Sequence, residues 1–189
     1  MEIVLIRHGE SEANAIKEGK DRIFIGQWDC GLTEKGIRQA SELRDNPILK
    51  DVDAYFCSDL KRTVDTARLI TDRSINIDKR LRERSLGIFE GKPVEKIKAN
   101  PLYDDYFNNP EYSGFRHGFT VKAPGGENYC DVCARVSSFL NELDNRCEKI
   151  VIVSHFCAIR CIIKTVKNLS NEETLGIKVN NCEPIVINL

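Results

Sequence analysis

The chain has 189 residues, 28 of them basic and 29 acidic, so its net charge is −1 at neutral pH. This length suits one domain, and a composition that is 41% apolar and 30% charged is typical of a folded protein. The balanced charge removes the general attraction that a non-specific nucleic-acid binder needs, so we expect no nucleic-acid partner. No apolar run approaches the roughly 18 residues of a membrane helix, and no signal peptide is recognisable, so we expect a cytoplasmic protein without a membrane partner.

Short apolar runs predict the strands of the protein. Continuous runs of this kind are typical of strands that are buried on both faces of a sheet. The predicted strands cover residues 3–6, 54–57, 150–153 and 185–187, with a shorter one at 74–78. Pro184 precedes the last run, which favours an edge position for that strand.

After most of these runs, apolar residues recur at the spacing of a helix. Thr33 is predicted to cap a helix that carries Ile37, Ala40 and Leu43, and Ser58 to cap the helix after the second strand. Two further apolar stripes run over residues 132–143 and 159–166. Strands that alternate with helices predict an α/β fold with three α/β/α layers and a mostly parallel central sheet.

Residues 84–126 break this alternation. The segment is rich in Gly, Pro, Asn and aromatic residues, and it predicts only short helices near 94–99 and 102–107. Long irregular insertions in compact domains are usually functional loops, and this one is too aromatic for a disordered segment. We therefore predict a lid over a ligand site.

The eight cysteines predict no metal centre. Cys130 and Cys133 form a C-x-x-C pair, and Cys157 and Cys161 lie four residues apart. Four converging thiolates could bind zinc, but both pairs fall in helical patterns, where cysteine is usually a small buried apolar residue. Without a secretion signal we expect reduced thiols.

Polar residues that follow the strands are the candidates for chemistry. Arg7 and His8 follow the first strand, Ser58 the second, with Arg62 one turn later, and His155 the third. The carboxyl ends of parallel strands meet at one edge of a sheet, where ligands bind. Arginine binds phosphate oxygens in a fork and neutral imidazole is a nucleophile, so the combination favours phosphoryl chemistry. Any single strand-end histidine is more often structural, so the prediction rests on the joint pattern.

Six segments in chain order resemble the motifs of the histidine phosphatase superfamily, the phosphoglycerate mutase-like proteins. They are Arg7-His8-Gly9-Glu10-Ser11 with Asn14, Gly26-Gln27-Trp28-Asp29 with Leu32-Thr33, Ser58-Asp59-Leu60-Lys61-Arg62, Leu81-Arg82-Glu83-Arg84, Pro124-Gly125-Gly126-Glu127 and Val153-Ser154-His155. The resemblance implies one histidine phosphatase domain over residues 1–189, with the lid at about 84–126.

The resemblance also implies roles for individual residues. His8 would be the nucleophile that becomes phosphohistidine, and Arg7, Arg62 and His155 would form the phosphate pocket. Glu83 would protonate the leaving oxygen and then activate water. Predicted substrate contacts are Asn14, Gly26, Gln27, Ser58 and Phe156. The resemblance implies neither a metal nor another cofactor.

Alternatives remain open at several of these positions. Glu83 could instead form a salt bridge with Arg82 or Arg84. Phe156-Cys157 follows His155 where the family often has Gly-Gly, which implies a bulkier pocket floor. In the lid, Arg116, His117 and Lys122 are either a solvated basic loop, which we favour, or contacts for an anionic substrate tail.

The function that these residues favour is phosphomonoesterase activity on a small phosphorylated metabolite, similar to α-ribazole phosphatases or broad-specificity members. Residues 84–126 lack the paired arginines of cofactor-dependent mutases. The alternatives are a 2,3-bisphosphoglycerate-dependent phosphoglycerate mutase, a sugar-bisphosphate phosphatase, a binding module without turnover and a cysteine-based zinc or redox protein. The oligomeric state, homodimer included, stays open.

Overall fold

The structure, a computed structural model, describes residues 1–16 and 22–189. Its sheet has five strands: β1 (Glu2–Arg7), β2 (Ala54–Cys57), β3 (Ile75–Ile77), β4 (Lys149–Ser154) and β5 (Ile185–Asn188). The strand order is β3-β2-β4-β1-β5, and only β5 runs antiparallel to its neighbour. All five predicted strands are present, and β5 is the predicted edge strand, so the mostly parallel sheet is confirmed.

Nine α-helices lie in the described residues. They are α1 (Glu12–Ala15), α2 (Glu34–Leu43), α3 (Lys61–Ile70), α4 (Val94–Lys98), α5 (Asp105–Asn108), α6 (Pro110–Ser113), α7 (Tyr129–Asn141), α8 (Phe156–Lys167) and α9 (Asn171–Gly176). None of them is long and apolar enough to cross a bilayer. Thr33 caps α2 as predicted, because its side chain accepts a hydrogen bond from the Gly36 amide.

The three layers follow from the alternation of side chains along the strands. Ile3 and Leu5 of β1 pack with α7 and α8 on one face of the sheet. Val4 and Ile6 of the same strand pack with α2 and α3 on the other face. Since successive strand residues point to opposite faces, one four-residue apolar run supplies both halves of the core. The predicted α/β/α fold is confirmed.

The helix after β2 does not begin where the sequence predicts. Leu60, not Ser58, is the N-cap of α3, and it makes no side-chain cap bond. The Ser58 hydroxyl instead lies 2.7 Å from Nε2 of His155 and 2.7 Å from the hydroxyl of Thr63. The prediction of Ser58 as the helix cap is therefore wrong, because a long-range contact with His155, which follows β4, engages its hydroxyl.

The insert 84–126 has an apolar core of its own. Phe24, which precedes the insert in the chain, packs against Phe89 and Phe115 with ring centroids 5.5 and 6.1 Å apart. The helix predicted near 94–99 is present as α4. In place of the single helix predicted near 102–107, a 3-10 turn at Pro101–Tyr103 is followed by the four-residue α5. The aromatic residues of the insert thus order it, as the composition indicates.

Two glycines allow the loop after β1 to approach α2 closely. A Cβ atom on Gly36 would lie 2.1 Å from the carbonyl oxygen of Glu10, and one on Gly9 would lie 2.4 Å from the carbonyl oxygen of Gly36. Backbone atoms cannot move aside as a flexible side chain can. The position of the loop that carries His8 therefore depends on glycine, which has no Cβ atom, at both positions.

Gly36→Ala should lower the free energy of unfolding by about 1–3 kcal/mol, the usual cost of overpacking against atoms that cannot relax. Gly176→Ala at the end of α9 is the matched control, since its Cβ would meet no atom within 4 Å. Urea denaturation of both variants measures the difference. Equal stability of the two variants would contradict the close approach.

Candidate active site

A cavity of about 390 Å³ opens at the carboxyl edge of the sheet. Its walls come from the loop after β1, residues 22–26, the start of α8 and the insert. The described residues that carry charged or polar side chains into it are Arg7, His8, Asn14, Arg22, Arg62, Glu83, Arg84, Arg116 and Cys157. The strand-end prediction therefore gives the correct edge of the sheet.

The orientation of His8 leaves one ring nitrogen for chemistry. Its Nδ1 lies 2.7 Å from the carbonyl oxygen of Gly9, and because a carbonyl only accepts, Nδ1 carries the proton of this bond. In the neutral ring the lone pair is then on Nε2. His8 is 4% exposed and its ring lies 5.1 Å from that of His155, centroid to centroid.

His155 lies beside His8 but behind the cavity wall. Its Nε2 is within hydrogen-bonding distance of the Ser58 hydroxyl, and it is fully buried. Within the described residues its Nδ1 has no hydrogen-bond partner. A buried polar atom without a partner is costly, so this nitrogen is suited to a polar group brought into the site.

Burial keeps both histidines neutral. Desolvation lowers the pKa of His8 well below its usual value of 6.5, and the cations Arg62 and Arg7 lower it further. The pKa of His155 is lowered well below the same value by desolvation, then by Arg62 and His8. Neutral imidazole is the nucleophilic form, so the lowered pKa favours the form of His8 that can attack phosphorus.

Two arginines are held beside His8 by main-chain carbonyl groups. The guanidinium of Arg62, 1% exposed, donates to the carbonyls of Trp28 at 2.9 Å and Gly26 at 3.0 Å. Arg7 donates to the carbonyl of Val179 at 3.0 Å, and burial is the main reason that its pKa is lowered. Guanidinium stays protonated in proteins, so both side chains bring full positive charge to the cavity.

Glu83 lines the cavity without a basic partner. Its carboxylate accepts the backbone amides of Arg84 at 2.7 Å and Cys157 at 3.1 Å. Arg82 instead pairs with Asp59 at 2.6 Å, and the Arg84 guanidinium donates to carbonyl groups. Among the described ion pairs the alternative salt bridge of Glu83 is therefore absent, and the carboxylate is available to a ligand.

The predicted substrate contacts divide into two groups. Asn14, Gly26 and Phe156 line the cavity, as the resemblance implies. Ser58 is fully buried beneath His155, and Gln27 donates from Nε2 to the main-chain carbonyl of Glu83 at 2.9 Å. Neither of these two is among the described residues that line the cavity, and their substrate contacts stay predictions.

The sequence did not predict a place in the cavity for two of its arginines. Arg22 was not singled out, and Arg116 was expected to be solvated. Arg22 has no motif around it, and Arg116, which we favoured as solvated, lines the cavity with its guanidinium 4.9 Å from the centre of the Phe24 ring. His117 lies outside the lining, and Lys122 pairs with Asp131 at 2.8 Å. Only the positive charge of the lid pointed to Arg116.

The cysteines form no cluster that could hold a metal. Over residues 1–16 and 22–189, no group of three or more His, Cys, Asp and Glu residues has the geometry of a metal site. Cys157 and Cys161 are buried, but Cys130 is exposed and Cys133 half-buried, which corrects the expectation that both pairs are buried. Burial raises the pKa of the Cys157 thiol, which lines the cavity, to about 12.

Comparison with known families matches residues 3–189 to the histidine phosphatase superfamily (branch 1). The chain belongs to this superfamily. This match confirms the predicted family and fold class. The predicted enzyme class, a phosphoric monoester hydrolase, is confirmed because members of the family are phosphatases. The segments of this histidine phosphatase that resemble the family's motifs include those that carry Arg7, His8, Arg62, Glu83 and His155.

Relatives of this histidine phosphatase carry more than one named activity. It is 29% identical over 191 residues to "Probable phosphoglycerate mutase GpmB" of Enterobacter sp. (strain 638), covering 96% of this chain and 82% of the relative. It is similar to the α-ribazole phosphatase structure from Shigella flexneri, with a TM-score of 0.84, 27% identity and coverage of 100% and 91%. A mycobacterial glucosyl-3-phosphoglycerate phosphatase in complex with VO3 has a TM-score of 0.78, 25% identity and coverage of 99% and 92%.

The buried histidines should make the free histidine phosphatase less stable at acid pH. An unfolded chain binds protons on histidine near pH 6.5, whereas the lowered pKa values of His8 and His155 prevent this in the folded state. The free energy of unfolding should therefore fall as the pH drops below about 6.5. NMR titration of the imidazole nitrogens is the direct measurement, and a midpoint at or above 6.5 for either ring would contradict it.

Proposed function

We propose that this histidine phosphatase is a metal-independent phosphomonoesterase that forms phosphohistidine on Nε2 of His8. The observation that carries the proposal is the 2.7 Å contact between Nδ1 of His8 and the Gly9 carbonyl. This contact leaves the Nε2 lone pair free in a ring whose pKa is lowered by burial and by two arginines. Guanidinium groups supply the positive charge that a metal ion supplies in other phosphatases.

In the first half of the reaction, the phosphoryl group of the substrate binds between Arg7 and Arg62, with the amide of Asn14 as a further donor. The Nε2 lone pair of His8 attacks phosphorus while the bond to the ester oxygen breaks. Glu83, protonated at this stage, gives its proton to that oxygen, and an alcohol leaves. The arginines offset the charge on the phosphoryl oxygens in the transition state, and the neutral ring of His155 donates a hydrogen bond from Nδ1 to one of these oxygens.

In the second half, water attacks phosphorus from the side that the alcohol has left. The carboxylate of Glu83 takes the proton of the water, and the bond between phosphorus and Nε2 breaks. The electron pair returns to His8, inorganic phosphate leaves, and Glu83 is again protonated. One carboxyl group acts as acid and then as base because both steps take place at the same face of the phosphoryl group.

The substrate in this proposal is a small phosphorylated metabolite, and the insert 84–126 is the lid of its site. The insert contributes Arg84, Leu86 and Arg116 to the cavity wall. At the mouth, Ile16 and Arg22 are exposed, so water reaches the cavity. Access of water favours hydrolysis of the phosphoenzyme, since a mutase must keep water out.

Phosphoglycerate mutase activity is the second candidate, because the relatives that share about 28–29% identity carry that name. Both reactions share the transfer to His8, and they differ only in the acceptor, which is water in one and a substrate hydroxyl in the other. Incubation with 3-phosphoglycerate separates them. Release of phosphate supports the phosphatase, and isomerisation that needs 2,3-bisphosphoglycerate, without phosphate release, supports the mutase.

His8→Ala and His8→Asn should both abolish hydrolysis of p-nitrophenyl phosphate in excess EDTA, because they remove the nucleophile. His117→Ala is the matched control, since its side chain is exposed and outside the cavity. Rapid quenching with a 32P-labelled substrate should trap acid-labile, alkali-stable label on the wild type and on the control only. Label or full activity in a folded His8 variant would overturn the proposal, as would loss of activity with EDTA.

Glu83→Gln should slow the hydrolysis of an alkyl phosphate by about 10²–10⁴-fold, because the amide cannot protonate the leaving oxygen. The loss should be smaller with p-nitrophenyl phosphate, whose leaving group needs little protonation. Glu95→Gln on the exposed face of α4 is the control. Equal losses with both substrates would contradict the role of Glu83 as the acid.

A further inference from the structure

The peptide group that joins His8 to Gly9 has a side-chain partner at each end. Its carbonyl oxygen, that of His8, accepts a hydrogen bond from Nδ2 of Asn181 at 2.6 Å. Its N–H group, that of Gly9, donates to Oγ1 of Thr66 at 3.0 Å. These partners are 173 and 57 residues away along the chain, so only the folded protein brings them to this peptide.

Thr66 joins the peptide to the helix that carries Arg62. Its hydroxyl donates to the carbonyl of Arg62, one turn earlier in α3, at 2.7 Å. Because a hydroxyl has one proton, the same oxygen acts as an acceptor toward the Gly9 amide. Thr66 is fully buried, so loss of the hydroxyl would leave that amide without its partner. One hydroxyl group thus connects the loop of His8 with a residue whose guanidinium lies beside the ring.

Asn181 is held beside the end of β1 by backbone contacts. It pairs with Arg7 in a parallel bridge, and the amide of Cys182 donates to the carbonyl of Arg7 at 2.9 Å. The carbonyl of Val179, two residues before Asn181, accepts the guanidinium of Arg7 at 3.0 Å. This segment therefore lies along the end of β1, which brings the side-chain amide of Asn181 to the carbonyl of His8.

The position of this peptide bears on the hydrogen bond that sets the tautomer of His8. Nδ1 of His8 lies 2.7 Å from the carbonyl oxygen of Gly9, which is the next carbonyl along the chain. Glycine has more backbone conformations open to it than other residues, so without fixed neighbours this carbonyl would be free to turn away from the ring. The hydrogen bond made by one imidazole nitrogen decides which of the two carries the proton. A fixed Gly9 carbonyl therefore keeps the proton on Nδ1.

We propose that Thr66 and Asn181 are positioning residues that clamp the His8–Gly9 peptide, so that Nδ1 of His8 keeps its proton and Nε2 presents its lone pair to the phosphoryl group. The inference rests on the proposed phosphomonoesterase function and assigns two residues that support its nucleophile. Neither of the two is among the described residues that line the cavity, so both act through the loop of His8.

Variants that keep the shape of each side chain and remove its hydrogen bonds test the clamp. Thr66→Val and Asn181→Leu should each lower kcat for p-nitrophenyl phosphate by about 10–100-fold, since a misplacement of about 1 Å can cost a factor of that size. KM should stay within about threefold, because the arginines of the cavity are unchanged. Thr66→Ser, which keeps the hydroxyl, should restore kcat to within about threefold of the wild type.

Matched control variants exist for both substitutions. Thr174 is also fully buried, and its hydroxyl also donates at 2.7 Å to the carbonyl four residues earlier, that of Ser170. Asn76 also donates from Nδ2 to a main-chain carbonyl, that of Tyr55 at 3.2 Å. Thr174→Val and Asn76→Leu remove bonds of the same kind away from the cavity, so they should keep the kcat of the wild type. Thermal melts establish which variants are folded.

The protonation of the His8 ring gives a readout that does not depend on turnover. The chain has three histidines, so 15N NMR of protein labelled at histidine reports on three rings, and His8→Ala and His117→Ala assign them. We expect a protonated Nδ1 and an unprotonated Nε2 on His8 of the wild type, of Thr66→Ser and of both controls. In Thr66→Val and Asn181→Leu the signal of a protonated Nε2 should appear.

The two readouts separate the clamp from the proposed function. Wild-type kcat and an unchanged His8 tautomer in folded Thr66→Val and Asn181→Leu overturn the clamp and keep the hydrolase, as do equal losses in Thr66→Val and Thr66→Ser. A wild type that releases no phosphate, but whose His8 tautomer changes in both variants, overturns the hydrolase and keeps the clamp. Should Thr66→Val fail to fold, Asn181→Leu, at a half-buried residue, decides by the same two readouts.

Discussion

The active-site arginines of this histidine phosphatase are held by main-chain carbonyl groups and not by carboxylates. Arg7, Arg62 and Arg84 donate to six main-chain carbonyl groups, and none of the three takes part in a described ion pair. A carboxylate would also stabilise a buried guanidinium, but it would cancel the charge that a phosphate ester needs. Carbonyl dipoles fix the position of each cation and leave its charge available.

This constraint ties distant parts of the chain to the site. Arg62 donates to the turn at Gly26 and Trp28, and Arg84 donates to the insert at Phe115. Desolvation and the charges of Arg62 and Arg7 lower the pKa of His8, so one arrangement supplies both the positive charge of the cavity and the neutral form of the histidine. Glu83 completes the arrangement, because its carboxylate accepts the backbone amides of Arg84 and Cys157 and forms no described ion pair with an arginine of the cavity.

Sequence reasoning succeeded where local patterns carry the information. The four-residue run of β1 predicts a buried strand, and the strand ends predict His8 and the edge of the sheet on which it lies. The same reasoning failed at Ser58, whose hydroxyl engages His155. It also could not choose a partner for Glu83, since both neighbouring arginines are close in sequence but turn elsewhere, Arg82 to Asp59.

By itself, then, the sequence determined the α/β/α layers, the family, the strand-end position of His8 and the motif that carries Glu83, because periodicity and motifs are properties of neighbouring residues. The tertiary structure alone decided which side chains line the cavity. Gln27 is drawn back to the carbonyl of Glu83, while Arg22 and Arg116 enter the wall together. Which side chains line the cavity depends on the packing of Phe24 against the insert. This contact joins residues far apart in the chain, so a local sequence pattern does not predict it.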